Sequence, residues 1–182
     1  MDLPDFELML PKKDTKRLSL LPIKAPTLIE LNAALDQSKK QIEAITPAAI
    51  LEGVKQVTST QTPSQQQATS IATFYNDNPI GGLLISISSV MQNTSEATAW
   101  NNLAALFNMS GLEHKAIPIL MYQLEKDPTN SIILNNMGQA DLGLGDVAKA
   151  TMYLQQCLTQ DPLNPEANHS MGVMKFFANQ ID

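Results

Sequence analysis

Apolar positions along the chain fall into helical stripes, and the stripes are separated by cap-and-proline signals. Thr27 with Glu30 three residues on forms a capping box, which leads into Leu28, Leu31, Ala34, Leu35 and Ile42 on one face. This predicts a helix ending near Ala44 or Ile45. Thr46-Pro47 reads as a second cap with a first-turn proline, followed by a stripe of Ala49, Ile50, Val54 and Val57. The two helices are expected to form a hairpin over residues 27–60. After a polar break at Thr58–Thr62, Thr62-Pro63 opens a helix through Ile71, Phe74 and Tyr75. Asn78-Pro79 then opens one through Leu83, Leu84, Ile87, Val90 and Met91. Residues 1–26 carry four prolines and no helical period. They read as an extended arm that packs along the first helices through Phe6, Leu8, Leu10, Leu20 and Leu21, or else as an unpacked tail.

The second half of the chain states one pattern twice. When Ala97–Asn130 is laid over Ser131–Asn164, a shift of 34 residues, Leu103 falls on Met137, Ala104 on Gly138 and Gly111 on Gly145. Ala116 falls on Ala150, Leu120 on Leu154 and Pro128 on Pro162. A fixed period of this size marks a repeat array. The small residues let two helices of one copy approach closely. Gly111 and Gly145 end the first helix in the left-handed conformation, and the prolines stop the second. One period further on, Asn164-Pro165-Glu166 caps another helix, with Met171 and Gly172 on Met137 and Gly138. One period back, Gly82 falls on Ala116. The expected organisation is a degenerate copy over 63–96, full copies over 97–130 and 131–164, and the first helix of a further copy, or a capping helix, over 165–182.

This pattern resembles the tetratricopeptide repeat. Trp100, Leu103, Phe107, Gly111, Ala116 and Pro128 occupy six signature positions in the first full copy. The second keeps Met137, Gly138, Gly145, Ala150 and Pro162, but has Leu134 for the tryptophan and Asp141 for an aromatic. The caps along the chain give roughly nine helices, and the resemblance implies an all-α fold in which they stack as antiparallel pairs into a right-handed superhelical array. It also implies a concave groove that receives a peptide from a protein partner. The groove positions carried over are Thr98, Asn101, Ala105 and Asn108 in one copy, and Ile132, Asn135, Gln139 and Leu142 in the next. In the last unit they are Glu166, His169, Val173 and Phe176. The amides of Asn101, Asn135 and Gln139 are expected to pair with a peptide backbone. Asn102 and Asn136 match a structural asparagine of the family, expected to bond locally. The Lys/Arg clamp with which some family members hold a terminal carboxylate is missing from these positions.

Composition narrows the chemistry. A net charge of −6 on 182 residues argues against a nucleic-acid partner, which needs a basic face. Five of the twelve basic residues precede Pro26, so the helical part is more acidic than the whole. No apolar run reaches the ~18 residues that read as a membrane span. The N-terminus lacks a basic-then-apolar signal pattern. The single Cys157 forms no internal disulfide, so cysteine usage does not place the compartment, and it reads as a small buried thiol. His114, expected in solvent near a turn, and His169 lie 55 residues apart without a metal-binding neighbourhood. Gly143-Leu144-Gly145 lacks the strand a nucleotide loop requires and reads as a turn. Met137 and Met171 read as core, whereas Met109 and Met174 could serve an adaptable surface.

With no paired acid/base or nucleophile set, the expected function is non-enzymatic, without cofactor or metal. The chain is expected to be a scaffold that binds a partner peptide or protein. The alternatives are a targeting or structural region of a larger enzyme or cell-envelope protein, or a module that self-associates through the end bearing Phe176 and Phe177.

Overall fold

The computed structural model describes residues 10–178. Phe6 and Leu8 of the arm lie outside the described residues. Ten helices and no strand occur among them. In chain order they are α1 (Thr15–Leu18), α2 (Leu28–Glu43), α3 (Ala48–Thr60), α4 (Pro63–Tyr75) and α5 (Pro79–Gln92). Next come α6 (Ala97–Met109), α7 (Glu113–Lys126), α8 (Ser131–Gly143), α9 (Val147–Gln160) and α10 (Pro165–Ala178). From α4 onward each helix packs against its predecessor. First helices also touch one unit apart, α4 with α6, α6 with α8 and α8 with α10. The chain is an all-α helical repeat array.

Local signals account for most boundaries. The capping boxes at Thr27/Glu30 and Thr62/Gln65 are both closed, and Asn78 caps α5 through the Gly81 N–H. Gly111 and Gly145 adopt φ of 68° and 71°, the left-handed turn that ends the first helix of each full copy. Close approach is equally visible. A Cβ on Gly138 would fall 2.5 Å from Leu154 Cγ, and one on Gly82 2.7 Å from the Ser70 carbonyl oxygen. The α8–α9 and α4–α5 pairs therefore need residues without side chains at these crossings.

The core is centred on α5, which is buried at every position from Gly81 to Val90. It carries no charged residue, and α2, α3, α4 and α6 surround it. A helix apolar on all sides belongs in an interior. Ser88 and Ser89 are tolerated there because their hydroxyls donate to the Leu84 and Pro63 carbonyls. Leu103, Phe107, Ala116, Leu120 and Met137 continue this core through the repeats. Leu134, Leu154, Cys157 and Met171 form the core of the last units, so Cys157 is a buried thiol whose pKa burial raises. Met174 is also core, leaving Met109 as the exposed methionine of the pair considered for a surface.

Several local expectations need correction. Thr46 does not cap α3; its hydroxyl turns back to the Ile42 carbonyl, and Pro47 stands at the cap position. The break expected at Thr58 comes at Gln61, because α3 continues to Thr60. Its threonine and serine hydroxyls bond back to carbonyls within the helix, so they need no break. Both α2 and α3 lean on α5, with Ile42, Ile50 and Val57 meeting around Leu84 and Ile85. On α4 the buried positions are Gln66 and Ser70, whereas Ile71 and Tyr75 are exposed. His114 is half-buried, not solvated, and its pKa is lowered by burial and then by the charges of Lys115 and Arg17.

The arm contains one helical turn, α1, capped by Asp14, which is the helix beyond the nine expected. It runs across the turns of two consecutive units. The Asp14 N–H donates to the Leu144 carbonyl at 2.9 Å, and Lys13 lies 3.6 Å from the Asp146 carboxylate. Arg17 donates to the Gly111 carbonyl and to Glu113, each at 2.7 Å, while Asp14 holds the same guanidinium at 2.7 Å. Leu18 and Leu21 then pack on the central core, whereas Leu20 is exposed. The arm thus ties the α6–α7 turn to the α8–α9 turn.

Candidate functional site

Successive first helices are built alike, so residues 34 apart lie in rows across the array. One row is Ala105 (α6), Gln139 (α8) and Val173 (α10), and a second holds Asn108 and Leu142. All five line a single open cleft of about 780 Å³. Glu166, His169, Pro165 and Phe177 of α10 complete one side. Met109, Asn136 and Ser170 also line it, as do Leu10 and Pro11 of the arm. The arm residues are the part that the repeat spacing does not reach. Their only signal in the sequence is the apolar spacing of Phe6, Leu8 and Leu10.

The remaining groove positions lie elsewhere. Thr98 lines a smaller hollow of about 220 Å³ between α4 and α6, with Gln67 and Asn102. Ile132 is 58% exposed outside the cleft. Asn101 accepts through its amide oxygen from Asn136 Nδ2 at 2.8 Å. Asn135 is only 3% exposed, donating to Glu166 at 2.7 Å and accepting from Gln139 at 3.3 Å. Phe176 is exposed beside the cleft, edge-on to Phe177 with ring centroids 5.4 Å apart. The pattern has a simple cause. The next first helix meets this row at Asn101 (α8, through Asn136) and at Asn135 (α10, through Glu166), whereas no described helix stacks beyond α10, and His169 of that row is exposed.

The amides therefore form a ladder between units. Asn102 reaches Gln67 at 3.4 Å, Asn136 reaches Asn101, and Gln139 exchanges hydrogen bonds with Ser170 at 2.9 and 3.1 Å. Asn102 and Asn136 bond across to the preceding unit, not locally, because the long side chains of adjacent first helices meet at this height. Asn108 Nδ2 donates to the Asn136 carbonyl at 3.0 Å, but its Oδ1 is buried without a partner. A ladder rung of this kind contributes about 1 kcal/mol. Asn136→Ala should lower stability in urea unfolding by that amount, with helicity unchanged. An unaltered midpoint would mean that the rung contributes nothing.

The cleft is lined by apolar Ala105, Leu142, Val173 and Phe177 together with polar Asn108, Asn136, Gln139 and Ser170. Of its two carboxylates, Glu113 is engaged by Arg17 and Glu166 by Asn135. Among the described residues no three His, Cys, Asp or Glu side chains converge as a metal site. No described helix is long and apolar enough to cross a membrane. Chemically, the cleft offers apolar side chains to the apolar side chains of another segment. The sequence matches no protein-family model, and no curated protein matches it.

Proposed function

We propose that this chain is a non-enzymatic scaffold of the tetratricopeptide type, which binds a segment of a partner protein in the concave side of its array. The observation that carries this reading is the shared row of Ala105, Gln139 and Val173. Equivalent positions on three successive first helices converge on one cleft. Repeat arrays leave such continuous surfaces because each unit contacts only its neighbours. The binding residues in this reading are Ala105, Asn108, Gln139, Leu142, His169 and Val173. Asn101 and Asn135 hold units together instead of meeting a peptide.

The test is a peptide-display selection on the intact chain, then Val173→Asp and, as a control, Ile132→Asp. Selected peptides should lose at least ten-fold in affinity with the first and bind the second as they bind the parent. Equal affinity for all three proteins would overturn the cleft as the binding site. A second reading, self-association, draws on the exposed Phe176 beside Phe177. Sedimentation across concentration separates the two, since Phe176→Asp would abolish an oligomer formed through this end.

A further inference from the structure

Asp141 is a buried charge for which the array provides no partner. It is 2% exposed, and its carboxylate takes part in no hydrogen bond or ion pair among the described residues. One period back the same position is Phe107, fully buried in the central core. The second copy thus puts a short carboxylate where the first puts a ring, and a hollow of about 500 Å³ lies beside it. Small-molecule sites occupy ~300–1,000 Å³ and combine apolar walls with a few polar groups. Leu18 and Leu21 of the arm, Ile117 and Met121 of α7, and Met137 of α8 supply such walls here. Asp141, Asp146 and Tyr153 supply the polar groups, and no residue is shared with the cleft. The arm is fixed at this place by the Asp14–Leu144 hydrogen bond and by Arg17 at the α6–α7 turn.

The residues present define what would complete the site. Lys13 is paired with Asp146, 3.6 Å away, and Lys149 is exposed and forms no ion pair with Asp141 among the described residues. Burial pushes the pKa of Asp141 up to about 6, so at pH 7 most of it is nevertheless ionised. An unpaired buried carboxylate calls for positively charged hydrogen-bond donors, and an ammonium group carries three. The aromatic ring of Tyr153 favours a cation over a neutral donor. The apolar walls call for carbon attached to that cation. A bare divalent ion fits poorly, because it takes about six oxygen ligands. Among the described residues no three acidic, His or Cys side chains converge to supply them. We propose that this hollow binds a primary alkylammonium group, its N–H donors on Asp141 and its alkyl chain against Leu18, Ile117 and Met121. The site is separate from the partner cleft and stands or falls without it. A free amine and the side chain of a partner's lysine offer the same group, and the test separates them.

The experiment titrates the full chain with n-butylammonium chloride at pH 7, following the backbone amide signals of Asp141, Asp146 and Lys149 by NMR. Saturable shifts with a Kd of ~1 mM are expected for so small a ligand. Asp141→Asn keeps the shape and removes the charge, and should weaken binding about ten-fold or more. Circular dichroism checks that this variant keeps its helices. In the parent, n-butanol should bind about ten-fold more weakly than the ammonium, a comparison that does not depend on how any variant folds. No saturation by ~30 mM, equal affinity of parent and Asp141→Asn, or equal binding of n-butanol would each overturn the proposal. Shifts confined to the residues of the cleft would overturn it as well. Where the ammonium site holds, tighter binding of Nα-acetyl-lysine methylamide than of n-butylammonium assigns it to a lysine of a partner protein. Weaker binding of that compound assigns it to a free amine.

Discussion

Gly145→Ala should cost about 3 kcal/mol in urea unfolding, against about 1 kcal/mol for Gly111→Ala. The two glycines adopt nearly the same left-handed backbone, at φ of 71° and 68°, and each ends the first helix of its unit. A methyl group therefore carries the same conformational penalty at both, about 1–2 kcal/mol. They differ in what the methyl meets. At Gly111 nothing lies within 4 Å, whereas at Gly145 it would fall 2.5–2.6 Å from Lys12 and Lys13 backbone atoms. Backbone cannot rotate away, so the arm has to lift, and overpacking of this kind costs about a further 1–3 kcal/mol. Lifting the arm also strains the Asp14–Leu144 hydrogen bond and the Lys13–Asp146 ion pair. Trypsin should then cut the arm at Lys12, Lys13, Lys16 or Arg17 faster in Gly145→Ala than in Gly111→Ala. Equal losses of stability and equal cleavage would mean that the arm does not lie on this turn.

Asp141→Asn should stabilise the chain at pH 8, and the advantage should disappear by pH 4. Asp141 is 2% exposed, on the face of α8 under the arm, and its side chain forms none of the hydrogen bonds present there. Burial raises its pKa from 3.8 to about 6; Lys149 opposes the shift and Asp146 adds to it. Lys13 and Tyr153 also line this hollow of about 500 Å³. The folded state thus holds this proton more tightly than the unfolded state. The contribution to stability is fully present below about pH 4 and is lost as the pH rises through about 6. A shift of about two units corresponds to at most about 3 kcal/mol. Since other carboxylates titrate in the same range, the quantity to measure is the stability of Asp141→Asn minus that of the parent. It should rise by about 2–3 kcal/mol from pH 4 to pH 8. A difference independent of pH would show that Asp141 is ordinary in its titration.

Asp141 also shows how far a pattern can be read. In the second full copy it stands where the tetratricopeptide pattern has an aromatic, and along the chain it looks like a simple departure. In three dimensions it lies beneath the arm with Lys13, Lys149 and Tyr153 around it, a meeting of segments far apart in sequence. The groove positions divide in the same way. Ala105, Asn108, Gln139, Leu142, His169 and Val173 line the cleft their spacing suggests, and Thr98, Asn101, Ile132 and Asn135 do not. Helical spacing says which residues share a face. It does not say how much of that face the next unit covers, and for Asn101 and Asn135 this coverage decides.

The chain's own residues determined the helices, their ends and their period, because capping side chains, left-handed glycines and stop prolines act within a few residues of where they stand. Thr27/Glu30, Thr62/Gln65, Gly111, Gly145 and the 34-residue step could all be read without coordinates for that reason. Only the tertiary structure decided that α5 is enclosed, that the amides of Asn101, Asn135 and Asn136 join units to one another, and that the arm crosses two turns to enter the cleft. Those outcomes depend on surfaces brought together from distant parts of the chain, where burial and competition for hydrogen-bond partners outweigh local preference.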